Sequence, residues 1–158
     1  MRTLAFHQVD VFGDLPLKGN ALAVVVDANE LSDTTMASLA KWTNLSETTF
    51  LLKPTLPGAD YRVRIFTPAG ELPFAGHPTL GSCQVWLNSK GKAEQSRIVQ
   101  ECGVGLVQLK RDGEARRSDL VHDGADVIHA LFEGGDAERP IRQALTALVE
   151  GDEARQRR

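Results

Sequence analysis

Between residues 3 and 12 apolar and polar side chains alternate, with Leu4 and Phe6 followed, after a one-residue shift, by Val9 and Val11. That alternation is the period of a strand, and the short apolar run at residues 21–26, Ala-Leu-Ala-Val-Val-Val, suits a second one. Gly13-Asp14-Leu15-Pro16 and Lys18-Gly19-Asn20 supply turn residues between them. The period then lengthens. Behind Ser32-Asp33, a good N-cap, Met36, Leu39, Ala40 and Thr43 recur at helical spacing, which predicts an amphipathic helix over 34–43. Thr48 to Leu52 and Tyr61 to Thr67 are rich in β-branched and aromatic residues and read as strands, separated by Pro54, Pro57 and Gly58. Pro78 opens a second predicted helix that is small or apolar nearly all round, as expected of a helix enclosed by a sheet. Ser96 to Glu101 and Gly105 to Lys110 predict a hairpin about Cys102-Gly103. Mixed strands with two helices make an α+β arrangement.

The pattern breaks near residue 113. Lysine occurs at 18, 41, 53, 90, 92 and 110 and nowhere later, while arginine and aspartate become frequent and Phe132 is the one aromatic of the tail. Residues 1–112 therefore read as one domain and 113–158 as a divergent tail. Within the tail, residues 140–149 keep helical spacing, and the charged stretch Glu150 to Arg158 is expected to be disordered.

Composition narrows the function. With 158 residues, 42% hydrophobic and 25% charged, the chain suits one globular domain. A net charge of −3 offers no basic field to neutralise phosphates, which argues against a nucleic-acid partner. There is no membrane-length apolar run and no leader-like start, so the expectation is a cytoplasmic chain. Cys83 and Cys102 form no metal-type pair and are expected as buried thiols. His7, His122 and His129 have no ligand-type neighbours at metal spacing, so no metal site is expected.

Two segments can carry chemistry. Asn44-Leu45-Ser46-Glu47-Thr48-Thr49-Phe50 sets a carboxylate between a helix end and an apolar strand, where partial desolvation raises a pKa toward the useful range. Taken alone, the segment also suits an exposed loop glutamate. Gly76-His77-Pro78-Thr79 lies at the start of the second helix, whose N–H groups and dipole favour an anion. His77 there can donate to a ligand, shuttle a proton or simply cap the helix. Lys18-Gly19-Asn20 is a turn in its own right, with Gly19 free to take a positive φ and Asn20 free to satisfy the backbone. No phosphate loop, dinucleotide fingerprint or nucleophile elbow is found.

In order and spacing, Gly19-Asn20-Ala21-Leu22-Ala23-Val24-Val25, Asn44 to Phe50, Arg64-Ile65-Phe66-Thr67-Pro68 and Glu71-Leu72-Pro73-Phe74-Ala75-Gly76-His77-Pro78-Thr79-Leu80-Gly81 resemble the PhzF family, from about residue 4 to residue 111. The resemblance implies one half of a diaminopimelate-epimerase-like fold, a curved mixed sheet wrapped around a central helix. It also implies a cofactor-independent isomerase that moves a proton on a small cyclic carboxylate such as trans-2,3-dihydro-3-hydroxyanthranilate. Glu47 matches the family's general acid/base, and Asn20, Ser46, Gly76, His77, Pro78 and Thr79 match its substrate-binding positions; no cofactor and no metal are implied.

A full family member adds a second half that brings an aspartate and a Gly-Ser anion-binding turn to the same cleft. Asp119-Leu120-Val121-His122-Asp123-Gly124 does not match that element. The expectation is therefore an amino-terminal half alone, truncated or followed by an out-of-frame tail. Such a half is either an isomerase, acting alone or with help, or a remnant or module that only binds small carboxylates; a third reading is that two copies pair and cover the face that the second half would cover.

Overall fold

A computed structural model describes residues 3–13, 17–90, 92 and 94–110; the expected break at 113, the tail helix and the disordered end lie outside the described residues, as do positions 14–16 of the first turn. The elements run β1 (Phe6–Val11), β2 (Asn20–Val25), α1 (Asp33–Thr43), β3 (Thr48–Leu52), β4 (Tyr61–Thr67), β5 (Gly70–Leu72), α2 (Gly76–Ser89), β6 (Arg97–Cys102) and β7 (Gly105–Lys110). The strands form one mixed sheet in the order β1-β2-β3-β4-β6-β7, with the short β5 also paired to β4. β2 with β3 and β4 with β6 are parallel pairs, which need crossovers, and α1 and α2 provide them.

The two helices take opposite faces of the sheet. Leu22 and Val24 of β2, Leu51 of β3, Val63 and Ile65 of β4, Ile98 of β6 and Val107 of β7 share a core with Val85, Trp86 and Leu87 of α2. The alternate side chains Val25, Phe50 and Phe66 pack instead on Met36 and Ala40 of α1. Central strands covered on both faces have no polar side to show, which is why residues 21–26 read as a continuous apolar run. One helix sharing a core with strands from one end of the sheet to the other requires the sheet to curve around it. Eight of the fourteen residues of α2 are buried. This is the α+β half expected, with its central helix.

Close approach depends on a small residue. A Cβ on Gly81 would lie 2.6 Å from Leu22 Cδ2 and 2.9 Å from Val11 Cγ2, so only glycine lets α2 sit this near β1 and β2. Two buried polar chains then fix the helix on the sheet. Ser82 Oγ donates to Thr49 Oγ1 at 2.8 Å, and Thr49 Oγ1 donates to the Ala23 carbonyl at 3.3 Å. Gln100 accepts from Tyr61 Oη at 2.9 Å and donates through Nε2 to Thr79 Oγ1 at 3.1 Å. Such paired groups avoid the cost of buried unsatisfied atoms and allow one register only.

One boundary differs from the reading of the sequence. α2 begins at Gly76 behind an extended N-cap at Ala75, so Pro78 is its third residue and not its first. The first-turn N–H groups have no acceptor within a helix, and a proline there loses no bond. The helix proper resumes with Thr79 N donating to the Ala75 carbonyl at 3.2 Å.

Candidate active site

The loop that carries Glu47 is set by the end of α1. Asn44 caps the helix in the left-handed conformation, φ 54°, and donates to the Ala40 carbonyl at 3.2 Å. Thr43 Oγ1 then meets Thr48 Oγ1 at 2.8 Å, pinning the loop across residues 44–47. From β3 onward the alternation decides direction: Thr48 and Phe50 face α1, while Thr49 and Leu51 face α2. Glu47, two residues before Thr49, falls on the α2 side.

There it meets His77 in the first turn of α2. Glu47 Oε2 is 3.4 Å from His77 Nδ1, with the two side chains 15% and 9% exposed, which leaves both largely out of water. The Asn20 amide nitrogen, at the start of β2, lies 3.4 Å from the same Nδ1. Asn20 is placed by the first turn. Lys18 N donates to Asp10 Oδ2 at 3.1 Å, and a Cβ on Gly19 would strike the Val11 carbonyl oxygen, so glycine is required where the two strands close. Three segments far apart in sequence thus converge on one nitrogen.

The electrostatics follow from burial. Desolvation raises the Glu47 carboxyl above its ordinary range and pulls His77 down to about 4. At neutral pH the imidazole is therefore uncharged, and the contact is not an ion pair. Glu47 Oε2 and His77 Nε2 are buried side-chain atoms that make no hydrogen bond. Ala75 caps α2 with no side-chain hydrogen bond, leaving the amides of Gly76 and His77 without a side-chain partner at the positive end of the helix. A carboxyl able to hold or release a proton, a neutral imidazole and a helix terminus suited to an anion make a proton-transfer site for a small carboxylate.

The remaining positions divide. Gly76 and Pro78 lie in the same first turn, Pro78 buried. Ser46 is exposed and has no hydrogen bond to Glu47, His77 or Asn20. Thr79 is turned into the core, its hydroxyl accepting from Gln100 and its amide bonded to Ala75, so it stands apart from the cluster. Phe12 was not singled out from the sequence. Its ring centroid lies 6.5 Å from that of His77, it is 43% exposed, and its φ of 65° is unusual for a bulky residue. An aromatic just before Gly13 in a turn was the available signal. Among the described residues no helix is long and apolar enough to cross a membrane. Both Cys83 and Cys102 are buried thiols.

Comparison with known proteins gives a consistent family. Residues 9–126 match the model of the PhzC-PhzF family, described as phenazine biosynthesis-like protein. The chain is 54% identical over 111 residues to antisense-enhancing sequence 1 of Schizosaccharomyces pombe, covering 70% of this chain and 38% of that protein. It is 41% identical over 109 residues to the trans-2,3-dihydro-3-hydroxyanthranilate isomerase of Pseudomonas aeruginosa, covering 67% and 38%. A crystal structure of the PhzF-family phenazine biosynthesis protein of Bacillus anthracis superposes with a TM-score of 0.61 at 31% identity, over 70% of this chain and 36% of that one. The chain thus spans less than two fifths of the length of each of these relatives.

Proposed function

The chain belongs to the PhzC-PhzF family of phenazine biosynthesis-like proteins, and on that premise we propose that it forms the Glu47-bearing side of a cofactor-independent isomerase cleft. The observation that carries this reading is the Glu47 carboxyl, largely buried, with its Oε2 unbonded and facing a neutral His77 at an uncapped helix start. Glu47 takes a proton from one carbon of a small cyclic carboxylate and returns it to another. The amides of Gly76 and His77 hold the carboxylate or a developing oxyanion, with Asn20 beside them and Ser46 at the rim. Pro78 and Thr79 act by fixing the helix start. A related isomerase bears the name of trans-2,3-dihydro-3-hydroxyanthranilate, which makes that compound the first substrate to try.

A second wall must exclude water for Glu47 to keep its tuned pKa during turnover. We assign that wall to a second copy of the chain, paired about a twofold axis. The experiment is turnover of trans-2,3-dihydro-3-hydroxyanthranilate by the full chain, followed with sedimentation at the assay concentration. The expected result is a dimer whose turnover falls roughly 10²–10⁴-fold in Glu47→Gln. A monomer removes the second-copy wall, and turnover that is unchanged in Glu47→Gln removes the isomerase reading.

The uncapped start of α2 favours one further reading, a module that binds small carboxylates without converting them. Calorimetric titration with anthranilate distinguishes the two. Binding by parent and Glu47→Gln alike, with no turnover by either, supports the module.

A further inference from the structure

The His77 ring has one nitrogen shared by two neighbours and one with none. Nδ1 lies 3.4 Å from the Asn20 amide nitrogen and 3.4 Å from Glu47 Oε2, whereas Nε2 is buried and unbonded. An amide nitrogen can only donate, so the imidazole nitrogen facing it must accept. In a neutral imidazole the proton is then on the other nitrogen, because the tautomer is set by the hydrogen bond that one ring nitrogen makes. We propose that Asn20 is a positioning residue that holds His77 as its Nε2–H tautomer, so that His77 presents a buried donor to a carboxylate or carbonyl oxygen of the ligand.

Glu47 fits the same assignment. Glu47 Oε2 makes no hydrogen bond, so the one lone pair of Nδ1 is left to Asn20 and the carboxyl is left free to accept a proton from the ligand. His77 is thereby a donor through Nε2 and cannot take a proton there, which leaves Glu47 as the group that moves protons at carbon. Asn20 acts through the imidazole. The strand register enforces the geometry, since Asn20 pairs with Val11 at the end of β1, and Val11 packs against Gly81 of α2.

This inference rests on the proposed function only for the use of the Nε2 proton, because the tautomer itself can be read with no substrate present. The experiment is long-range ¹H–¹⁵N correlation spectroscopy of the full chain, uniformly ¹⁵N-labelled, at pH 7. The four histidines are separated by the loss of one pattern in His77→Gln. The parent is expected to show His77 with Nε2 protonated and Nδ1 bare. Asn20→Asp, close in shape but an acceptor, is expected to put a proton on Nδ1; Asn20→Ala is expected to give a mixture of both tautomers. Nδ1–H in the parent, or an unchanged Nε2–H pattern in both variants, overturns the assignment. Turnover of the dihydro-hydroxyanthranilate has no part in that result, so a chain that converts nothing still decides it.

Discussion

Glu47 Oε2 and His77 Nδ1 stand 3.4 Å apart, yet burial acts on them in opposite ways, raising the acid and lowering the base. Both are kept nearer their neutral forms than in water. A carboxyl beside an imidazole usually suggests an ion pair, and desolvation outweighs that attraction here.

The pair makes acid stability depend on His77. Its folded pKa of about 4 lies below the unfolded value of 6.5, so the unfolded chain binds the proton first as pH falls. Stability held above pH 6.5 is therefore lost as pH drops toward 4, by about 3 kcal/mol if the shift is fully expressed. Urea melts across this range should show that limb in the parent and lose most of it in His77→Gln.

For Glu47 the sign reverses. A raised carboxyl binds its proton more tightly folded than unfolded, so the folded state is penalised as pH rises through the shifted value. Glu47→Gln removes the penalty and should melt higher than the parent at pH 7, with the difference closing toward pH 4. A lower melting temperature at pH 7 would mean that the carboxylate is held by favourable contacts instead. Stability gained with loss of turnover is the pattern of a residue kept for function.

Glu101 is a buried carboxylate of the other kind. Burial alone would raise it, but Thr55 Oγ1 at 2.5 Å, the amides of Leu56 at 2.9 Å and Thr55 at 2.6 Å, and Arg62 at 3.6 Å leave it below its usual range. These bonds tie the β3–β4 connection to β6. Glu101→Ala should cost about 2–3 kcal/mol at pH 7. The stabilisation is present above the unfolded carboxyl's value and disappears as pH falls through the lowered one, so the variant and parent should converge in strong acid.

Gly81→Ala tests how the site is held from a distance. The added methyl would meet Leu22 and Val11 at under 3 Å. Overpacking of this kind costs about 1–3 kcal/mol and pushes α2 off β2. His77 rides on α2 and Asn20 on β2, so the amide resonances of both should shift although neither residue is touched.

Gln100→Leu breaks the bridge between Tyr61 and Thr79. The hydroxyls of Tyr61 and Thr79 both lose the Gln100 amide, at a cost of about 1–3 kcal/mol. Trp86, stacked on Tyr61 with ring centroids 5.2 Å apart, reports the loosening through its fluorescence, whereas Trp42, 82% exposed, should not respond.

By itself the sequence determined the local structure and the family. Ser32 before an amphipathic run gives α1, and its side chain does accept from Thr35 N; β-branched runs give β3 and β4. These depend on neighbours a few residues away, which is where period and capping act. β5 was not legible, because three residues beside a turn have no period of their own and exist as a strand only through pairing with β4. The motifs around Asn20, Glu47 and His77 could be recognised singly. What only the tertiary structure decided is that the three meet at one imidazole nitrogen, that Thr79 turns into the core, and that Phe12 stands beside His77. Those outcomes belong to contacts across 57 and 30 residues of chain, where the curvature of a sheet around a helix, and the water it excludes, set both position and protonation.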